Sequence, residues 1–182
     1  MAKRGKDTIT IGSAKAYMVV VEDTMPTKED LFKEENRVGS IKGGAALEYT
    51  EETYEEKDDL GLVSKVITVS EEALLKMGLI TWNGETLTKL IDRCKVEEDS
   101  GVRIVKIGGA GNAQGKYYAI GLHHVDKKDG DLWVIIKGRN TAGATLTFAA
   151  DEGTVVEPEF KAMPHDEEGT LVELIEETGT AA

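Results

Sequence analysis

Cysteine is nearly absent: Cys94 is the only one in 182 residues, so no internal disulfide supports the fold and a reducing cytosol suits the chain. Aromatic residues are also scarce, at 5%, too few to build the stacking platforms that bind single-stranded nucleic acid or sugars. No apolar run approaches the roughly 18 residues that span a bilayer. Met1-Ala-Lys-Arg-Gly-Lys6 has no apolar signal core behind it, so synthesis in the cytoplasm without membrane insertion is expected. Positive charge is in deficit, with 22 Lys and Arg against 34 Asp and Glu, a net charge of −12 and a pI near 4.8. Binding along a phosphate backbone needs a cationic face, and this composition argues against sequence-specific DNA binding.

What is present is enough for one folded domain. Hydrophobic residues make up 40%, arranged in alternating segments that a disordered chain lacks. The acidity is local. Glu48–Asp59 carries seven acids and one base, and Asp151–Glu177 carries ten acids and one base, which leaves the rest of the chain slightly positive.

The pattern along the chain is mainly β. Thr8–Gly12 and Lys15–Val21 read as first strands. Residues 22–44 break the alternation with Pro26, Gly39, Gly43 and Gly44, and so long a connection reads as a loop reaching toward another subunit. Alternation resumes over Ala46–Glu56 and, after Asp58-Asp59-Leu60-Gly61, over Val63–Val69, which predicts a hairpin over 46–69. Its first arm, at about 3.3 Å per residue, reaches roughly 35 Å. A ribbon this long cannot bury a full face within one small domain, so its partner is expected to be a neighbouring chain.

Ser70, Glu71 and Glu72 read as the start of a short helix stopped by Gly78. A second helix is predicted over 86–95, starting at Thr86 or Asn83, with Leu87, Leu90, Ile91 and Cys94 as its core face. Region 102–176 reads as six short strands: Val102–Gly108, Tyr117–Val125, Leu132–Lys137, Thr145–Ala149, Thr154–Lys161 and Thr170–Glu176. Regular strands between Gly and Asp turns indicate a β-sandwich or barrel with one flanking helix.

No catalytic or cofactor constellation stands out. In Gly108–Lys116 the glycine spacing misses a P-loop, Tyr117 replaces the magnesium-holding hydroxyl, and a strand follows instead of a helix. His123 and His124 are adjacent on a strand and point to opposite faces, so they cannot chelate one ion together. Asp126, Asp129 and Asp131 around Gly130 lack calcium-loop spacing and read as a solvated turn. Cys94 on an apolar stripe reads as a buried, inert thiol. The expectation is a protein that is not an enzyme, with no metal and no cofactor.

Several segments taken together resemble the tail tube, or major tail, proteins of tailed bacteriophages. Arg4–Gly12 with Lys15–Val21 looks like their N-terminal arm and first strand. Glu34–Gly39 and then Lys42–Tyr49 look like the loop entering their inner hairpin. Val155–Ala162, Pro164 and Asp166–Val172 look like their closing strands. The resemblance implies hexameric rings stacked into a hollow tube in the virion tail, with the long hairpins completing an inner barrel between subunits and DNA passing through the lumen without sticking. It implies Glu48, Thr50 and Glu52 as candidate lumen-facing residues with Leu47 and Tyr49 toward the core, the opposite register being the alternative. It also implies inter-subunit contacts at Leu31, Phe32, Asn36, Arg37, Asp58, Asp59 and Leu60. Partners would be further copies of the chain and other tail proteins: tape measure, terminator or baseplate, and sheath where the tail has one. The chain would be made in the cytoplasm of a bacterial host. Two alternatives stand beside it: the inner tube of a phage-derived contractile injection system or bacteriocin, and a monomeric acidic β-sandwich binding module.

Overall fold

The computed structural model describes residues 4, 8, 10, 12–146, 148 and 150–178. The chain is mainly β, built from β1 (Lys15–Val21), β2 (Arg37–Lys57), β3 (Ser64–Leu79), β4 (Cys94–Asp99), β5 (Val102–Ile107), β6 (Tyr117–His124), β7 (Leu132–Asn140), β8 (Glu159–Met163) and β9 (Val172–Glu176). Two short helices, α1 (Lys28–Leu31) and α2 (Gly84–Leu90), interrupt the strands. All pairings are antiparallel.

The large sheet closes on itself. Its order is β6-β1-β2-β3-β8-β7-β9, and an additional β6–β7 ladder joins Tyr118–His124 to Leu132–Gly138, so six strands make a barrel and β9 lies along the part of β7 that β8 leaves free. Strand alternation decides what fills it. Ala16, Met18, Ala73, Leu75, Met77, Leu79, Tyr118, Ile120, Ile136 and Phe160 all belong to one buried cluster, taken from every second position of their strands. Asn83 caps α2 by accepting the Thr86 N–H at 2.9 Å, and Leu87 and Leu90 enter the same core. Asn140, at the end of β7, donates to the Leu90 carbonyl at 2.6 Å and ties α2 to that end of the barrel.

The connection expected over 22–44 is not a free loop: residues 37–44 already belong to β2, and residues 22–36 lie on the barrel wall. The outward positions Tyr17, Val21, Ala119 and Ile135 form a second apolar cluster, and Met25, Leu31 and Phe32 cover it. Thr27 caps α1, accepting the Asp30 N–H at 3.2 Å, which turns Leu31 onto the wall, where it is fully buried. Phe32 lies over Gly121, and its ring meets Tyr17 edge-on at 5.2 Å.

Five other expectations are corrected. Ser70–Gly78 is not helical: it lies within β3, because the period-two burial of Ala73, Leu75 and Met77 outweighs a helix-cap signal whose Ser70 and Glu71 are exposed. The helix expected over 86–95 ends at Leu90. Ile91 is already extended (φ −126°, ψ 115°), and Cys94 starts β4, buried from a strand instead of a helix face. Thr145–Ala149 contributes an isolated bridge from Leu146 to Val156, with residues 147 and 149 outside the described ones. The segment read as Thr154–Lys161 begins as a bridge at Val156 and becomes a strand only at Glu159. Of the strand expected over Thr8–Gly12, Ile9 and Ile11 lie outside the described residues, and the others are not in a strand.

Gly121 has no room for a side chain: a Cβ there would sit 2.6 Å from the Phe32 ring. Gly121→Ala therefore displaces Phe32 and lifts residues 22–36 from the wall. The expected cost is about 1–3 kcal/mol in urea denaturation, with part of it recovered when Phe32 is shortened to Leu.

Candidate functional site

The β2–β3 pair outgrows the barrel. β1 pairs with β2 only over Arg37–Ser40, and β8 pairs with β3 only over Leu74–Lys76, yet β2 and β3 stay paired with each other out to Lys57 and Ser64. From Glu48 to Lys57, at about 3.4 Å per residue, a two-stranded ribbon projects roughly 34 Å. All of its residues from Glu48 through Ser70 are exposed. Two strands alone are marginal in water, and each edge presents a row of unpaired N–H and C=O groups.

Register assigns the faces. Leu47, Tyr49 and Glu51 lie opposite Leu75, Ala73 and Glu71, so their face continues the barrel's interior surface. Glu48, Thr50 and Glu52 lie opposite Leu74, Glu72 and Ser70 and continue its outer wall. A register shift between Glu52 and Thr53 leaves Val69 as an extra residue in β3, a bulge that strengthens the local twist. Glutamates occur on both faces, Glu51 and Glu55 on one and Glu48, Glu52 and Glu56 on the other, so neither face offers the apolar band of a lipid-facing strand. Among the described residues no helix is long and apolar enough to cross a membrane.

The root and the tip are held differently. At the root, on the outer face, Lys76 reaches Glu48 at 2.9 Å and Glu159 at 3.3 Å, and Lys161 pairs with Glu72. These exposed pairs each contribute little, but together they lock β3 to β8 where the ribbon leaves the barrel. At the tip, Asp58 accepts the Val63 N–H at 2.7 Å, and its backbone N–H donates to the Val63 carbonyl at 3.1 Å. The Val63 N–H bond holds the Asp58 carboxyl below its usual range. On the other face near the root, the Tyr49 hydroxyl stands 2.8 Å from both Glu51 and Glu71, which face each other across the ribbon. Bonding to Glu51 first, then to Glu71, raises the Tyr49 hydroxyl above the ordinary tyrosine value.

No protein-family model and no curated protein matches the chain.

The residues singled out in the sequence separate into two places. Glu48, Thr50 and Glu52 share the outer ribbon face, and Asp58, Asp59 and Leu60 form the tip turn, with Leu60 79% exposed. The other four lie at the barrel wall. Leu31 is fully buried in its own chain and offers nothing to a neighbour, and Phe32 is packed on Gly121. Asn36 donates to the Asp30 carbonyl at 2.7 Å, and Arg37 pairs with Glu34 at 3.0 Å. Lys76, Glu159 and Lys161 escaped notice, because their pairing depends on β8 meeting β3 across more than eighty residues of chain. His123 and His124 do point apart: His123 bonds Asp131 at 2.7 Å on the outside, and His124 is buried, bonding the Ser13 carbonyl at 3.0 Å.

The pairing at Tyr49 can be tested by tyrosine NMR titration. Glu51→Gln and Glu71→Gln each bring the Tyr49 titration down toward the ordinary value of about 10, with the double substitution lowering it furthest. At the tip, the Val63 amide resonance moves with Asp58 ionisation at a pH below the ordinary Asp midpoint of about 3.9. The sign follows from the depressed value: the bond is fully present above the unfolded midpoint and is lost as pH falls through the folded one.

Proposed function

We propose that this chain is the structural subunit of a bacteriophage tail tube, assembling with copies of itself into stacked hexameric rings around a lumen that conducts DNA. One observation carries the reading: a closed barrel from which a ribbon extends with both edges unpaired. A monomeric module would leave those edges permanently bare, whereas a ring of ribbons joins them into a continuous inner wall. The resemblance of the first strands, the entry to the hairpin and the closing strands to tail tube proteins points the same way.

In such a ring the face bearing Glu48, Thr50 and Glu52 lines the lumen. Toward its root the acids are matched by Lys76 and Lys161, whereas toward its tip, among the described residues, Glu52 accepts from the Ser70 hydroxyl and Glu56 from the Tyr54 hydroxyl. An acidic surface at close range repels a polyanion and lets it slide instead of stick. The tip residues Asp58, Asp59 and Leu60 would meet neighbouring subunits, and the tube would sit in the virion tail against other tail proteins.

Electron microscopy of the purified chain at high concentration tests this: rings or tubes of uniform bore are expected, and a monodisperse monomer under all conditions overturns it. Replacing residues 52–70 with a short glycine-containing turn should leave thermal unfolding of the barrel nearly unchanged and abolish rings and tubes.

A further inference from the structure

The chain has five arginines, and three are held by carboxylates: Arg4 by Glu176 at 3.8 Å, Arg37 by Glu34 at 3.0 Å and Arg103 by Glu98 at 2.7 Å. Among the described residues the other two, Arg93 and Arg139, pair with no carboxylate, although the chain carries 34 acids. Both border one cleft of about 430 Å³, formed where β5 and β7 end and the chain leaves α2.

The walls of this cleft are fixed from within. Asn140 is buried, donates to the Leu90 and Gly143 carbonyls at 2.6 and 2.5 Å, and accepts the Ala142 N–H at 2.9 Å. Arg139 is partly buried, with its guanidinium carbon 5.4 Å from the centre of the Tyr117 ring. A contact of this kind uses the face of the guanidinium and leaves its in-plane N–H donors free. Ile107 and the bare backbone of Gly108 and Gly143 complete the opening. Asp92 borders it as well, but its carboxylate accepts the Gly115 N–H at 3.2 Å and, among the described residues, stands in no ion pair.

We propose that this cleft binds a small phosphate monoester, with Arg93 and Arg139 on the phosphate and the organic body against Ile107. Two guanidiniums match the charge of a phosphate dianion, and each planar fork matches the spacing of its oxygens. The volume is in the range of small-molecule sites and exceeds what an isolated anion fills, and the apolar wall suits an organic ring. Every residue of the site lies in one chain, so binding goes beyond the tube reading and does not depend on it.

Calorimetric titration at constant ionic strength tests this with three probes: adenosine monophosphate, inorganic phosphate and adenosine. Saturable binding of the monophosphate is expected, with weaker binding of phosphate and none of adenosine, and amide NMR shifts centred on Gly108, Thr141 and Gly143. Arg93→Gln and Arg139→Gln should each weaken binding about tenfold, as the loss of one charge-assisted contact. Arg139→Lys should restore only part of it, because a point charge lacks the fork. Tyr117→Leu, which keeps both charges and removes the ring under Arg139, should weaken binding as well. Thermal unfolding of the arginine variants should stay nearly unchanged, since neither side chain sits in an ion pair. Binding of phosphate as tight as that of the monophosphate assigns the cleft to a free oxyanion and overturns the ester. Binding of adenosine as tight as that of the monophosphate, binding indifferent to both arginines, or no binding of any probe overturns the site. So does a double arginine variant that alters assembly in a chain blind to all three probes, which assigns the arginines to a contact between copies. Each of these failures leaves the tube reading standing.

Discussion

The ladder between β2 and β3 runs from the barrel's core to the ribbon's tip, so the packing of Leu75 and Met77 inside decides how Glu51 and Val66 are presented outside. Side chains alternate along a strand, and burying one set at the root commits every later residue to a face. The cross-links at the root act on this same ladder. Lys76 joins β2 to β8 through Glu48 and Glu159, and Lys161 joins β8 back to β3 through Glu72. The ribbon is therefore anchored on both arms before it leaves the barrel.

Barrel closure sets the supply of free edges. The β6–β7 ladder closes six strands into a barrel, leaving free edges on β9, on the separate β4–β5 hairpin and on the ribbon, and residues 22–36 cover the exposed apolar wall beside it. The ribbon's are the longest of these edges. Its exposed valines, isoleucine and leucines would be a liability on a monomer, and the neighbouring glutamates temper that liability on one arm only.

Much of this was legible in the residues. The ribbon was visible because alternation over 46–69 is long and its acids are dense, and β1, β6 and β7 because short strand-like runs recur between Gly and Asp turns. Local signals misled where they competed with distant packing. Ser70-Glu71-Glu72 has the chemistry of a helix start, yet Ala73, Leu75 and Met77 have barrel partners that hold the segment extended. Leu87, Leu90, Ile91 and Cys94 share a helical spacing, but the chain leaves the helix at Ile91 to form the β4–β5 hairpin and buries the same four residues by another path.

Sequence alone determined the β-rich class, the length of the ribbon, the location of the acids and the contrast between its two arms, because alternation and charge are properties of neighbouring residues. Only the tertiary structure decided that β6 and β7 close a barrel, that β3 continues through Gly78 to Leu79, and that Leu31 and Phe32 belong to their own chain's wall. Those outcomes depend on contacts between segments far apart in the chain, such as Phe32 on Gly121 and Lys161 beside Glu72. Local spacing does not encode such contacts.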